Sequence, residues 1–324
     1  MHKYIFRRLL MMIPVLLGVT FIVYFILSLT PGDPASIILG DGATEAGIEA
    51  MREQLGLNQS IFVRYFKFLV DALQGDLGFS YRNKLPVLAM VLERFPATMI
   101  LAIASIILAL AVGIPVGIIS AKKQYSALDY FATLVTMLGV SMPTFWLGLI
   151  LVMIFSLKLG WLPSQGMGDG FVPLLKSLIL PAFTLCTHNA ATIARMTRSS
   201  MLDVINQDYI ATARSKGIPE SQVTSRHMLR NALIPIVTSV GLQFGVLLGG
   251  AMLTETVFSW PGLGRLMVES IKSKDIPIVL GCVIFMAVTF SVVNLLVDII
   301  YAFVDPRIKS QFQKVQMRKV SRVK

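Results

Sequence analysis

The chain has 324 residues, 55% of them hydrophobic and only 15% charged, whereas ordinary soluble domains carry about 25% charged residues. Composition therefore points to the membrane and away from a soluble enzyme. The formal net charge of +11 sits mainly in the two ends of the chain and in loop 195–230, so it reads as a topology signal and no nucleic-acid partner is expected.

Six windows lack Asp, Glu, Lys and Arg: 9–32, 95–121, 130–157, 177–194, 231–254 and 276–297. A helix rises about 1.5 Å per residue, so roughly 20 residues cross a hydrocarbon core of about 30 Å. Each window is read as one transmembrane helix. The fourth, which holds Pro181, His188 and Asn189, is the shortest.

Lys3, Arg7 and Arg8 precede the first window as in a signal peptide. Its apolar run exceeds an h-region of about 7–15 residues and no small-x-small cleavage site follows, so a retained span is expected. With a cytoplasmic N-terminus, the inner segments hold 18 of the 29 Lys and Arg residues, which supports both termini inside.

Residues 31–95 then form a long outer segment. "TPGDP" is a turn by its Pro and Gly content. "EAGIEAMREQLGL" reads as a short helix closed at Gly56, and "SIFVRYFKFLVDALQ" as an amphipathic one from Ser60 to Gly75. The segment is expected to be a small helical cap. In the second span, "GIPVG" at 113–117 sets two glycines four apart around Pro115, a pattern for close helix approach and a bend.

Loop 195–230 is the least membrane-like part of the middle of the chain. Leu202, Ile205, Tyr209 and Ala213 recur at helical spacing and predict one apolar or small face, opposite Asp203, Asn206, Gln207 and Arg214. Gly217 is placed to stop a helix, and Pro219 with Glu220 to start another. A helix, a sharp break and a second helix are expected. Such a helix either lies on anionic headgroups or enters a groove on a soluble partner; the residues alone leave both open.

The fifth span carries Gly241, Gly245 and Gly249, a small-residue stripe that serves packing within the chain or contact with another subunit. "SWPGLG" at 259–264 reads as a tight turn. Asp298, near Arg307 and the inner end of the last span, reads as a snorkelling or locally paired acid rather than a proton relay. Cys186 and Cys282 fall in spans as buried thiols. The chain has no Gly-Lys dipeptide, no H-E-x-x-H and no G-x-S-x-G. Its three histidines are scattered, and neither a metal site nor a catalytic site is expected. A secondary carrier would call for mid-span carboxylates or charge pairs, and none is read here.

"DYIATARSKG…HMLRNALIP", "MTRSSMLDV" (196–204), "TETVFSWPGLGRL" (254–266), "YAFVDPRI" (301–308) and the N-terminal "RRLL" with "TPGDP" resemble permease subunits of binding-protein-dependent ABC importers. The resemblance is to the dipeptide, oligopeptide and nickel branch, in order along nearly the whole chain. One departure stands out. The general motif is Glu-Ala-Ala-x3-Gly, but here Ala211, Thr212 and Ala213 take the first three places, Gly217 is kept, and the Leu-Ile-Pro at 233–235 comes late.

The resemblance implies an all-α polytopic membrane protein of six transmembrane helices, with type I ABC importer permease architecture, an extra N-terminal span and the outer cap. Its implied boundaries are a tail and first span at 1–30, the cap at 31–95 and a core at 96–304. Core helices would lie near 97–121, 130–157, 177–195, 232–254 and 277–303. A coupling loop at 196–231 and a basic tail at 305–324 complete the chain. By the same resemblance Asp208, Tyr209, Ala211, Ala213 and Gly217 couple to the ATPase. Trp260, Pro261, Gly262 and Gly264 face the outer gate or the binding protein. The implied partners are a second homologous permease, two cytoplasmic ABC ATPases, an external binding (lipo)protein and lipid, in a bacterial or archaeal cell membrane. No cofactor belongs to this chain, ATP and Mg being held by the partner subunits. Peptides are the implied cargo, with nickel or metal chelates and glutathione as alternatives.

Overall fold

The computed structural model describes residues 2–29, 33–40 and 42–304. The basic tail 305–324, including Arg307, lies outside the described residues, as do residues 30–32 of the "TPGDP" turn and the side chain of Asp298. Among the described residues the regular structure is helical, with a single isolated bridge between Phe79 and Pro86.

Helix α1 (His2–Leu29) is followed by α2 (Pro34–Leu39), α3 (Glu45–Gln54) and α4 (Ile61–Leu73). The last three start at side-chain caps: Asp33, Thr44 and Ser60 accept from the backbone N–H of Ala35, Gly47 and Val63. Gly56 (φ +64°) and Gly75 (φ +85°) carry the chain away from α3 and α4 in left-handed backbone. Then come α5 (Val87–Lys122), α6 (Ala127–Ser141) and α7 (Thr144–Leu151), the last continuing as a π-helical stretch Val152–Lys158. The remaining helices are α8 (Phe171–Ile205), α9 (Asp208–Ser215), α10 (Glu220–Gln222), α11 (Arg230–Gly250), α12 (Met252–Val257), α13 (Leu263–Lys272) and α14 (Ile276–Val304). A π-helical stretch, Val223–Leu229, joins α10 to α11.

Among the described residues five helices are long and apolar enough to cross a membrane, or six spans if the bent pair α6–α7 counts as one. The third span, expected as one helix over 130–157, is instead two helices bent by 100°. Pro143 supplies no N–H and keeps Met142 extended (ψ 129°), so the helical ladder stops there. The fourth span is longer than its charge-free window, because α8 runs on through Lys176, Arg195 and Arg198 to Ile205. Helical hydrogen bonding outlasts the apolar stretch at both ends.

The chain divides into two compact units. Unit 1 comprises Met1–Leu101, Pro163–Ser177 and Leu248–Ser291. One of its cores gathers Leu77, Val87 and Val91 with Leu263, Met267, Ile278, Val279 and Cys282. A second joins Tyr24 of α1 to Tyr65 of α4 and Leu280 of α14. Buried Asp275, just before α14, accepts from the Ser80 hydroxyl at 2.6 Å and from the N–H of Tyr81 and Arg82 at 3.2 and 3.3 Å. That carboxylate ties the loop after α4 to the start of α14.

Unit 2 comprises Ala102–Leu162, Leu178–Leu247 and Val292–Lys324. The "GIPVG" glycines of α5 lie against the backbone of α8. A Cβ at Gly113 would come within 2.8 Å of the Ala190 carbonyl oxygen, and one at Gly117 within 2.6 Å of that of Ala194. Small residues thus let these two helices approach closely. Near the same end of α5, Arg198 of α8 donates from Nε and Nη2 to the Asp129 carboxylate, both at 2.8 Å. Ser120 and the N–H of Tyr125 donate to the same carboxylate. This bidentate pair fixes the α5–α6 turn onto α8.

The glycines of α11 behave differently from one another. A Cβ on Gly241 would overlap the Val297 side chain of α14, Gly245 is buried, and Gly249 faces open space. Packing within the chain therefore accounts for Gly241. Gly241→Val is expected to cost about 1–3 kcal/mol through overpacking and to lower recovery of folded chain by size-exclusion chromatography. Gly249→Val should leave that recovery unchanged.

Candidate coupling site

The sharp break in loop 195–230 is built as its residues suggest. Lys216 caps the end of α9 with near-helical backbone, and Gly217 follows at φ +74°. The N–H of Gly217 donates to the Arg214 carbonyl at 2.9 Å, and that of Ile218 to the Ala213 carbonyl at 3.3 Å. These are the two bonds of a Schellman cap, which needs a left-handed residue where Gly217 stands. Arg214 reaches over the turn to Glu220 at 3.0 and 3.2 Å, closing the loop from outside.

The buried face of α9 is not the one expected. Tyr209 is 43% exposed, whereas Ile210 is fully buried and Ala213 is 5% exposed. The reason lies at Gln207, which is extended (φ −78°, ψ 144°) and separates α8 from α9. The periodicity through Leu202 and Ile205 restarts after it in a new register. Ile210 and Ala213 pack with Met201, Val223, Met228, Ala232 and Ile236 in one core. Ala213 is therefore small to fit its own chain rather than a partner's cleft. What α9 leaves outward is Asp208, Tyr209, Ala211, Thr212, Arg214 and Ser215, with Gly217 exposed past its end.

The "SWPGLG" turn also differs from expectation, since it points inward. Trp260 is fully buried and donates from Nε1 to the Ala97 carbonyl at 2.8 Å. Gly262 and Gly264 are buried, and Pro261 is half-buried. They surround Glu255, itself fully buried. Its carboxylate accepts from the Thr98 hydroxyl at 2.8 Å and from the Arg265 N–H at 3.0 Å, while Thr98 accepts from the Leu263 N–H at 2.8 Å. The acid thus caps the N-terminus of α13, where its charge opposes the helix dipole favourably. A Cβ at Gly262 would overlap the Glu255 carboxylate, and one at Gly264 would lie 2.6 Å from the Met252 Cα. Burial pushes the Glu255 carboxyl above the usual carboxylate range, against the pull of the Arg265, Thr98 and Gly264 hydrogen bonds. Buried Trp260, Gly262 and Gly264 are engaged within the chain, and Pro261 alone of the four is half-exposed.

Glu255, Asp275, Asp129 and Arg198 were not singled out from the sequence. An acid between a helical run and a Trp-Pro-Gly turn is the one signal that could have flagged Glu255. Among the described residues no group of three or more His, Cys, Asp or Glu side chains is arranged to hold a metal ion. Cys186 and Cys282 are free and buried.

Comparison with known proteins decides the family. Residues 113–310 match the family described as binding-protein-dependent transport system inner membrane component, and residues 1–102 match its N-terminal companion. The chain belongs to this family of importer permeases. Over 315 residues the permease is 44% identical to the oligopeptide transport system permease protein AppB of Bacillus subtilis, covering 95% of this chain and 100% of that one. It is 43% identical over 332 residues to the dipeptide transport system permease protein DppB of Alkalihalophilus pseudofirmus, with the same coverage. With the glutathione transport system permease protein GsiC of Escherichia coli it shares 41% over 309 residues, 95% of this chain and 99% of that. Two structures of the inward-facing MetNI methionine ABC transporter share the fold with TM-scores of 0.54 and 0.55 at 17% and 18% identity, each covering 67% of the permease and 96% of the matched chain. The permease is a multi-pass membrane protein and a transport subunit.

Proposed function

We propose that the permease forms half of an import pathway for di- and oligopeptides handed over by an external binding protein. A second permease supplies the other half, and two ABC ATPase chains, holding ATP and Mg, supply the energy. The observation that carries the cargo assignment is end-to-end identity of 44% and 43% with an oligopeptide and a dipeptide permease. Glutathione, itself a peptide, is the second reading, favoured by the relative at 41%. Competitive uptake in cells carrying the complete transporter tests this. Unlabelled dipeptides and oligopeptides should suppress uptake of a labelled peptide, and glutathione should suppress it weakly. Uptake insensitive to peptides would overturn the assignment.

The same reading gives α9 the task of transmitting ATPase movement. Its support is a short, capped helix whose inner face is anchored by Ile210 and Ala213 and whose outer face is exposed and mostly polar. Gly249, open within the chain, is assigned to contact with the second permease. The charge distribution supports a cytoplasmic location for α9 and both termini. In a chain lacking Cys186 and Cys282, a cysteine at exposed Asn83 should react with an impermeant reagent in intact cells, and one at exposed Ser225 only after permeabilisation. The reverse pattern would invert the topology.

A further inference from the structure

Helix α4 belongs to the segment expected as an outer cap, yet it packs along a membrane span. The Tyr65 hydroxyl donates to the Leu17 carbonyl at 2.8 Å and lies 2.8 Å from the Thr20 hydroxyl. Phe62 stacks on Phe21, with ring centres 6.0 Å apart, and Phe68 lies 6.1 Å from Tyr24. All four α1 partners fall inside the candidate span Leu10–Leu29. Leu280, which shares the core of Tyr24 and Tyr65, lies one turn inside the candidate span Ile276–Val297. The α1 partners run from Leu17, near the middle of its span, to Tyr24 in its C-terminal half, and Leu280 lies one turn inside its own, so α4 is held at hydrocarbon depth and not above it.

An apolar, uncovered strip of α4 adjoins these contacts and includes the part of Phe62 that they leave exposed. Phe62 is 59% exposed, Phe66 64% and Leu73 88%, and Val63 and Val70 flank them. Arg64, Lys67 and Asp71 occupy a separate, narrower arc and line an open cleft of ≈ 540 Å³ together with Tyr81 and Lys84. Burial pushes the Tyr81 phenol up to about 12, so it stays neutral beside these charges. A helix with a wide apolar face and a narrow charged arc is suited to lie in a membrane interface, charges toward water.

We infer that α4 is embedded in the outer leaflet, with Phe62, Phe66, Val70 and Leu73 against lipid acyl chains. The exposed residues Leu17 and Phe25 of α1 extend the same lipid-facing surface. Helix α4 is then a membrane-inserted element beside a charged cleft that opens to water, rather than part of a cap lying wholly outside the bilayer.

The test uses single cysteines at Phe66, Leu73, Lys67 and Asp71 in a chain lacking Cys186 and Cys282, labelled with an environment-sensitive nitrobenzoxadiazole. The permease, with its co-purifying subunits, is returned to phosphatidylcholine bilayers with or without doxyl-labelled lipid. At positions 66 and 73 the doxyl lipid should quench several-fold more strongly than aqueous iodide. At 67 and 71 the order should reverse, and adding binding protein should leave 66 and 73 unchanged. Quenching of 66 and 73 mainly by iodide, or shielding by the binding protein, would overturn the inference. Protection from both quenchers would also overturn it, by placing another subunit on this face. The readout requires no transport and does not depend on the cargo.

Discussion

Gly217→Val is expected to abolish peptide uptake and binding-protein-stimulated ATP hydrolysis while leaving the permease folded and inserted. The effect would come from the backbone. Nothing lies within 4 Å of a Cβ at this position, so space is available, but the residue sits at φ +74°. Left-handed backbone costs an ordinary L-residue roughly 1–2 kcal/mol, and more for a β-branched one. Relief of that strain breaks the Schellman bonds from Gly217 and Ile218 and changes where the exposed face of α9 points. The site is at the surface, so the buried cores stay intact. Gly217→Asn, which tolerates left-handed backbone, should keep most of the activity. Arg214→Gln should matter little, because an exposed ion pair of this kind is worth only about 0.2–1 kcal/mol. Full uptake by Gly217→Val would mean that the aim of α9 is irrelevant.

Glu255→Ala and Gly262→Val should have the largest effects on stability. Removing the carboxylate leaves the Thr98 hydroxyl and the Arg265 N–H buried without their acceptor, at about 1–3 kcal/mol each. Against a total of about 5–15 kcal/mol, that is enough to lower recovery of folded permease several-fold. Gly262→Val drives a branched side chain into the same carboxylate and should do the same. Glu255→Gln keeps the shape and should be mildest. Its pH dependence follows from the raised carboxyl: the folded state holds the proton more tightly than the unfolded one. That stabilisation is full below the unfolded value and is lost as pH rises through the folded value. The thermal midpoint of the wild type in detergent should therefore rise relative to Glu255→Gln as the pH is lowered from neutral. A constant difference would show that Glu255 does not titrate between the two states.

Local chemistry was the most legible level. The stops at Gly56, Gly75 and Gly217 follow from glycine's access to left-handed backbone, and all three have positive φ. Spans were legible as charge-free windows, but their ends were not, because a helix such as α8 continues through Arg195 and Arg198 once the chain is already helical. The bend at Pro143 was hidden inside an uninterrupted apolar run. The buried face of α9 was misread because one extended residue, Gln207, resets the periodicity. The least legible features were the pairings of Asp129 with Arg198, Asp275 with the Ser80 hydroxyl and the N–H groups of Tyr81 and Arg82, and Glu255 with Thr98. Each joins residues distant in sequence, and no local pattern carries them. The resemblance put "SWPGLG" at the outer gate or the binding protein; a buried acid needing two side-chain-free neighbours draws it inward.

The central claim is that the outer face of α9 meets the ATPase. A photoactivatable phenylalanine analogue at Tyr209, in the assembled transporter in membranes, tests it most directly. Illumination should give a cross-link to the ATPase chain whose yield changes when ATP is bound and hydrolysis is blocked. The same analogue at Asn83 should give none. Cross-linking of position 209 to lipid alone, with no ATPase adduct in any nucleotide state, would contradict the coupling role and leave α9 as a helix resting on the membrane surface.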